Sequence, residues 1–372
     1  MNWAGLDVIP HLGHLQEETA CLWQALFAQR GMLVPHSLLE WKGTLDAAPR
    51  GLPATIFVDL PPDEAYQLQR VYGFPQLDMP LLPQEPELSQ VIADALDTPI
   101  PGLLRQSQIA AEIEHSAPGN QIVVLLVLDG LAYEDVVGWQ YPAEWQRMRR
   151  PCLVDGVTLT QLAMPRAIGS PPVAHRLFPK GFKQHLGFTY WERESNALTD
   201  TLFAEFSKTQ LTRVSEFDQI LDCLADWNFN APTFVQIVRD GLDQFVHSYR
   251  ERPDIGSFLR ELERSIARLL DLLATFHQRV RVYITADHGI LWYQQHDIVP
   301  VAGNVQSARY VAGDVQINSN SVVRISEEAG NYSVIVGPQH IYRNRRNNEW
   351  GFHGGISGRE SLVPFVTLDY RP

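Results

Sequence analysis

A chain of 372 residues, 45% of them hydrophobic, has enough apolar material for a large core, as one extensive α/β domain with an accessory piece or as two domains. Its formal net charge of −13 argues against a broad non-specific nucleic-acid surface, which needs an excess of Lys and Arg to meet phosphate. Cys21, Cys152 and Cys223 are scattered and outside any C-x-x-C, which speaks against a disulfide framework and fits a reducing cytoplasm. The N-terminus lacks a basic-then-apolar leader pattern. No apolar run approaches the roughly 20 residues of a membrane span, so no membrane association is expected.

Residues 1–115 read as an N-terminal accessory region. Residues 16–30 predict a helix with Ala20, Trp23, Leu26 and Phe27 on one face. Residues 54–60 predict a strand, and 63–72 a second helix after Pro61-Pro62. Prolines at 75, 80, 83, 86, 99 and 101 mark an extended linker, interrupted by a short helix near 87–96. A further helix is expected over 107–115.

From residue 116 the pattern changes. Residues 121–128, QIVVLLVL, are the near-continuous apolar run of a parallel strand buried on both faces. Asp129-Gly130 follows, and an acid at such a tip is costly unless paired or bound to a cation. A helix is expected from about Tyr133. In the Gly/Pro-rich stretch 156–181, Ser170 precedes a short helical segment at 173–178. A hydroxyl there serves as a cap or as a nucleophile facing a bound phosphate. Thr158 and Thr160 are rival hydroxyls that read as strand residues.

Helices are expected over 199–209 and 215–227. A core strand follows at 232–238, PTFVQIV, running into Asp240 and Asp243. His247 lies four residues after Asp243, so one helical turn would put both on one face; Asp240 is the rival acid. An amphipathic helix over 257–277 leads into the strand 282–285 and then Asp287-His288-Gly289. This motif offers a carboxylate and an imidazole at the carboxyl end of a strand, where open α/β sheets bind ligands. Residues 292–349 alternate short strand-like runs, clearest at 321–325 and 332–336, and read as a β-rich insertion ending in Arg343, Arg345 and Arg346. Then come His353-Gly354-Gly355 and a last core strand over 361–368.

The order of these pieces resembles the alkaline phosphatase superfamily, and within it the PglZ domain. VLDG at 127–130, SPPVAHRLFPKG at 170–181, DQFVH at 243–247, ITADHG at 284–289 and FHGGISGRESLVPFV at 352–366 carry the resemblance, which covers roughly 120–372. It implies an alkaline-phosphatase-like α/β sheet sandwiched by helices, with a catalytic domain over 116–372 and the insertion at 292–349. It also implies two divalent ions, zinc first, with manganese or magnesium as alternatives. Asp243, His247 and His353 would hold one. Asp129, Asp287, His288 and Ser170, the expected nucleophile, would hold the other, with Lys180 or Arg345 balancing phosphate charge. The implied substrate is a nucleotide or nucleic-acid phosphodiester. The implied setting is bacterial phage defence, with other defence proteins as partners. A phosphomonoesterase or phosphomutase shares the same ligands, and a non-catalytic scaffold in a defence complex is the remaining alternative.

Overall fold

The computed structural model describes residues 11–14, 16–30, 55–57, 64, 66–67, 70, 76–78, 80–190, 196–246, 253–293, 299–300, 307–313, 321–344 and 346–372. The chain divides into two compact units, Met1–Leu103 and Leu104–Pro372. The expected boundary near residue 115 therefore moves earlier. The short strand β4 (Leu104–Arg105) pairs in the sheet of the larger unit, and the helix Ile109–Ser116 belongs to the same unit.

In the smaller unit, strands β1 (His11–His14), β2 (Thr55–Phe57) and β3 (Gln76–Asp78) form a parallel sheet in the order β2-β1-β3. The helices Ala20–Gln29 and Glu85–Asp97 pack together through Trp23, Leu26, Phe27 and Val91. Most of the helix expected at 63–72 lies outside the described residues.

The larger unit is built on eight strands. They are β4 (Leu104–Arg105), β5 (Ile122–Leu128), β6 (Gln146–Leu153), β7 (Gln184–Tyr190), β8 (Leu211–Arg213), β9 (Thr233–Arg239), β10 (Val280–Ala286) and, last in the chain, β18 (Leu362–Tyr370). Their order is β4-β6-β18-β10-β5-β9-β7-β8, and every neighbouring pair is parallel except those made by β18. The seven residues of β5 are all buried, as expected of a strand covered on both faces. The faces are assigned by alternation along β9. Gln236 donates to the carbonyl of Leu202 in the helix Asn196–Leu202. Arg239, an odd number of residues on, stacks over Phe217 of the helix Phe217–Ala225. The 21-residue helix Ile255–Thr275, capped by Asp254, carries Leu262, Ile266, Leu269, Leu270 and Leu273 into the core at 3- and 4-residue spacing.

Between β10 and β18 the insertion begins and ends at one paired neck. There β11 (Leu291–Trp292) runs antiparallel to β17 (Gly351–Phe352). Within it, β12 (Val299–Pro300) pairs with β16 (His340–Ile341), and β13 (Tyr310–Ala312), β14 (Val322–Glu327) and β15 (Gly330–Ile335) form an antiparallel sheet in the order β13-β15-β14. The insertion is tied to the core by a fully buried ion pair. Arg309 donates from Nε and Nη2 to the two carboxylate oxygens of Glu360, at 3.0 and 2.5 Å. Glu360 also accepts from the Gly355 amide and the Ser357 hydroxyl, at 2.9 and 2.8 Å. A fully satisfied pair of this kind fixes geometry more than it adds net stability.

Candidate metal centre

The parallel strands β5, β9 and β10 end side by side, and each delivers an acid. Asp129 follows β5, Asp243 lies in the 3₁₀ turn Asp243–Phe245 just beyond β9, and Asp287 follows β10. Two glycines let these segments interlock. Gly130 has φ +76°, a left-handed conformation open to glycine at little cost. A Cβ on Gly241 would lie 1.9 Å from the Asp129 carbonyl oxygen, so the chain leaving β9 passes directly against Asp129. His288 follows Asp287, and His353 comes from the loop after β17.

Asp129, Asp287 and His288 form one group with ligand atoms within 4.8 Å of one another; Asp243, His288 and His353 form a second. His288 belongs to both, so five side chains from four segments share one cage. His288 Nε2 lies 3.8 Å from Asp129 Oδ1 and 3.3 Å from Asp287 Oδ2, and His353 Nε2 lies 3.3 Å from Asp243 Oδ1. The two imidazoles stack 4.4 Å apart at 7°.

The hydrogen bonds around the cage orient these groups inward. His288 Nδ1 lies 3.1 Å from the Gly289 carbonyl, and His353 Nδ1 lies 3.1 Å from that of Thr158. A carbonyl oxygen can only accept, so both Nδ1 atoms carry the proton and both Nε2 lone pairs face the cage, the tautomer a metal ligand needs. Asp287 Oδ1 accepts from the amides of Gly130 and His288 at 3.0 and 2.8 Å. The fully buried Gln106 holds the strand end by donating to the carbonyls of Ala286 and Asp287. Thr158 Oγ1 receives the Gly354 amide and donates to the Gly355 carbonyl, locking the His353 loop.

The donor set fits divalent cations. Asp243 Oδ1 and Asp287 Oδ2 are shielded from solvent and have no hydrogen-bond partner among the described residues. Buried carboxylate oxygens are not left so without a counter-charge. The carboxylates of Asp129 and Asp287, with ligand atoms within 4.8 Å of each other, repel by about 3–4 kcal/mol at an effective dielectric constant near 20. Mixed carboxylate and imidazole ligands suit zinc or manganese.

Burial, the main cause, holds the His288 imidazole below its ordinary pKa; neighbouring Asp287 opposes the shift and His353 adds to it. The unfolded chain therefore takes up a proton that the fold resists. The stability contributed by neutral His288 is present above the ordinary value of 6.5 and is lost as pH falls below it. The metal-free protein is expected to lose thermal stability steadily between about pH 7 and pH 5. A His288→Gln variant, scanned in parallel, should show a flatter dependence; equal slopes would remove His288 from this role.

The structure does not bring Ser170 to this cage. Ser170 is exposed, two residues past the end of the helix Thr160–Ile168, in a separate cleft lined by Arg166, Thr201 and Glu328. That nine-residue helix is itself about 13 Å long, at 1.5 Å rise per residue. The hydroxyl at the cage is that of Thr160, the first residue of the helix, 4% exposed, with Oγ1 3.1 Å from His288 Nε2. Thr160 therefore does not lie in a strand. The sequence signal for a helix here is Ala163, Met164, Ala167 and Ile168, all buried on one face, and Pro165 inside the helix obscures it. Lys180 lies 3.6 Å from Glu114 rather than at the cage. His247 and Arg345 lie outside the described residues. Gln106 and Arg309 carry no motif, and Glu360, though inside the FHGGISGRESLVPFV run at 352–366, was assigned no role there.

A cavity of about 700 Å³ opens beside the cage, lined by Gln161 and His353 from the core and by Tyr310, Arg343, Arg346 and Glu349 from the insertion. Arg343 and Glu349 form a two-point ion pair on its wall, at 2.8 and 2.5 Å.

Residues 123–346 match the family model described as type I phosphodiesterase / nucleotide pyrophosphatase. Among solved structures, the chain is similar to murine ectonucleotide pyrophosphatase / phosphodiesterase 5 in complex with AMP, at 12% identity over 67% of this chain and 88% of that one, with a TM-score of 0.43. Phosphonoacetate hydrolase from Sinorhizobium meliloti in complex with phosphonoacetate aligns at 12% identity over 67% and 90%, with a TM-score of 0.42. The C-terminal periplasmic domain of a phosphoethanolamine transferase from Campylobacter jejuni aligns at 9% over 67% and 79%, with a TM-score of 0.36. A search of curated proteins by sequence finds no match.

Proposed function

Because this chain belongs to the type I phosphodiesterase / nucleotide pyrophosphatase family, within the alkaline phosphatase superfamily, and is a phosphoric ester hydrolase, we propose that it is a metal-dependent phosphodiesterase that uses Thr160 as nucleophile. Asp129, Asp287 and His288 would hold one divalent ion. Asp243 and His353, with His247 a further candidate, would hold a second, zinc or manganese in each. Bound there, the ions would supply positive charge and Lewis acidity to the phosphate oxygens.

The rest falls to the chain itself. Thr160 Oγ1, at a helix N-terminus where free amides and the helix dipole favour an anion, gives up its proton to solvent water and attacks phosphorus. The P–O bond to the alcohol group opposite breaks, and that alcohol leaves after taking a proton from solvent water. Water then cleaves the phosphothreonine, releasing a monoester and restoring Thr160. Stacking and the paired backbone bonds hold His288 and His353 still throughout.

The observation that favours a diester over a monoester is the 700 Å³ cavity. It lies within the size range of small-molecule pockets, roughly 300–1,000 Å³, and gives the second ester group a place to sit beside the cage; a monoester has no such group. With zinc or manganese added, kcat/KM for bis-p-nitrophenyl phosphate is expected to exceed that for p-nitrophenyl phosphate by about tenfold or more. A monoester preference would shift the reading to phosphomonoesterase. The acidic balance of the chain favours small nucleotides or strand ends over long duplexes.

The finer placement in PglZ-type phage defence is supported by FHGGISGRESLVPFV at 352–366, and would bring other defence proteins as partners. A cytoplasmic setting is supported by Cys21, Cys152 and Cys223, all free thiols. Among the described residues, no helix is long and apolar enough to cross a membrane.

A further inference from the structure

The segment that carries Thr160 is held from the insertion side by one carboxylate. Glu327, the last residue of β14, has a side chain only 12% exposed. Its Oε1 accepts the Val157 amide at 2.8 Å, and its Oε2 accepts from Arg166 Nη2 at 2.7 Å. Arg166 belongs to the helix that begins at Thr160 and also lies 3.9 Å from Asp155. Asp155 in turn receives the Ser107 amide at 3.2 Å. A Cβ at Gly156 would come within 2.2 Å of Glu327 Oε1, so the carboxylate rests directly on the backbone.

The residues that follow are those of the site. The Thr158 carbonyl holds His353 Nδ1, the Thr158 hydroxyl holds the Gly354–Gly355 backbone, and Thr160 Oγ1 faces His288. Val157 is three residues from Thr160. Glu327 thus grips both the loop before the nucleophile and the helix behind it. Neither bond touches the metal cage or the 700 Å³ cavity, whose lining does not include Glu327.

We infer that Glu327 is a positioning residue: the β14–β15 hairpin of the insertion sets the height and direction of the Thr160 hydroxyl by fixing Val157 and Arg166 at once. This rests on the assignment of Thr160 as nucleophile. The insertion then does more than wall the substrate cavity, because its hairpin completes the catalytic geometry. A misplacement of about 1 Å at a reacting group costs on the order of 10²-fold in rate.

The test compares Glu327→Ala with Glu327→Gln in the full-length metal-loaded protein. Glu327→Ala removes both bonds. It should lower kcat on bis-p-nitrophenyl phosphate by about 10- to 100-fold while KM and bound metal stay within about twofold of wild type. Glu327→Gln keeps an oxygen for the Val157 amide but turns an N–H toward Arg166, so it should recover part of kcat, between Glu327→Ala and wild type. Amide exchange over residues 154–162 supplies a readout independent of turnover: protection of Val157 should fall in Glu327→Ala and be retained in Glu327→Gln. An unchanged kcat, a change confined to KM, or metal lost along with activity would each overturn the positioning role. If wild type itself fails to hydrolyse the diester, the functional reading fails. The exchange result then still decides whether Glu327 fixes the loop, and unchanged protection at Val157 overturns that claim on its own.

Discussion

Replacing Thr160 by alanine is expected to reduce diester hydrolysis by about 10³-fold or more in kcat, the scale of loss when a covalent nucleophile is removed, with bound metal unchanged. Thr160 is the hydroxyl within hydrogen-bond distance of the cage, at 3.1 Å from His288 Nε2, at the first residue of a nine-residue helix. Thr160→Ser keeps the hydroxyl and should keep measurable turnover; its loss relative to threonine reports the extra rotameric freedom of serine. Ser170→Ala, in the exposed position past the end of the same helix, should be indistinguishable from wild type. Steady-state kinetics with a chromogenic diester, alongside metal analysis of each variant, separates these outcomes. An active Thr160→Ala enzyme beside an inactive Ser170→Ala enzyme would reverse the assignment.

Asp287→Asn should have the next largest effect, and its sign should depend on metal. Asp287 is fully buried. Its Oδ1 organises the Gly130 and His288 amides, and its Oδ2 faces His288 Nε2 with no donor of its own among the described residues. Asparagine preserves the first role but turns an N–H toward the space between the ligands. Activity is expected to fall by at least about 100-fold, with metal affinity falling in parallel. Without metal the same substitution removes one of three converging negative charges, so the metal-free variant should be as stable as wild type or more stable, by on the order of 1–3 kcal/mol. Thermal melts with and without chelator measure this directly. The expected pattern is a crossing: the variant less stable than wild type with metal, and equal or more stable without it. Parallel shifts in both conditions would mean that Asp287 acts as an ordinary structural hydrogen-bond acceptor.

What could be read from the sequence followed the physics of each segment. The β5 and β10 strands were legible because burial on both faces leaves an unbroken apolar run, and the acid closing each run stands out against it. The long helix Ile255–Thr275 was legible from its stripe. β6 was not, because QRMRRPCL carries three arginines and is exposed over its first three residues, so neither alternation nor a continuous apolar run marks it. β7, QHLGFTY, mixes small and polar residues in a buried strand and is equally quiet. Thr160 was hidden because it read as a strand residue, and because of the local likeness of SPPVAHRLFPKG to a nucleophile loop. The acids and imidazoles of the cage could be named one at a time from strand tips and spacing. That His288 would stand between both ligand groups could not, since it follows from the order β10-β5-β9 and from the close approaches of Gly241 to Asp129 and of Gly130 to Asp243. Arg309 and Glu327 gave no local signal, and Glu360, though inside FHGGISGRESLVPFV, gave none for its buried partner Arg309, because these contacts span about 50 to 170 residues of chain.

The most direct test of the cage is the metal content of the purified chain, measured by elemental mass spectrometry, together with bis-p-nitrophenyl phosphate hydrolysis before chelation, after it, and after adding back zinc or manganese. The cage predicts about two bound divalent ions per chain, loss of hydrolysis on chelation, and its return with either ion. A chain that holds no divalent ion and hydrolyses the diester equally well in chelator would contradict it.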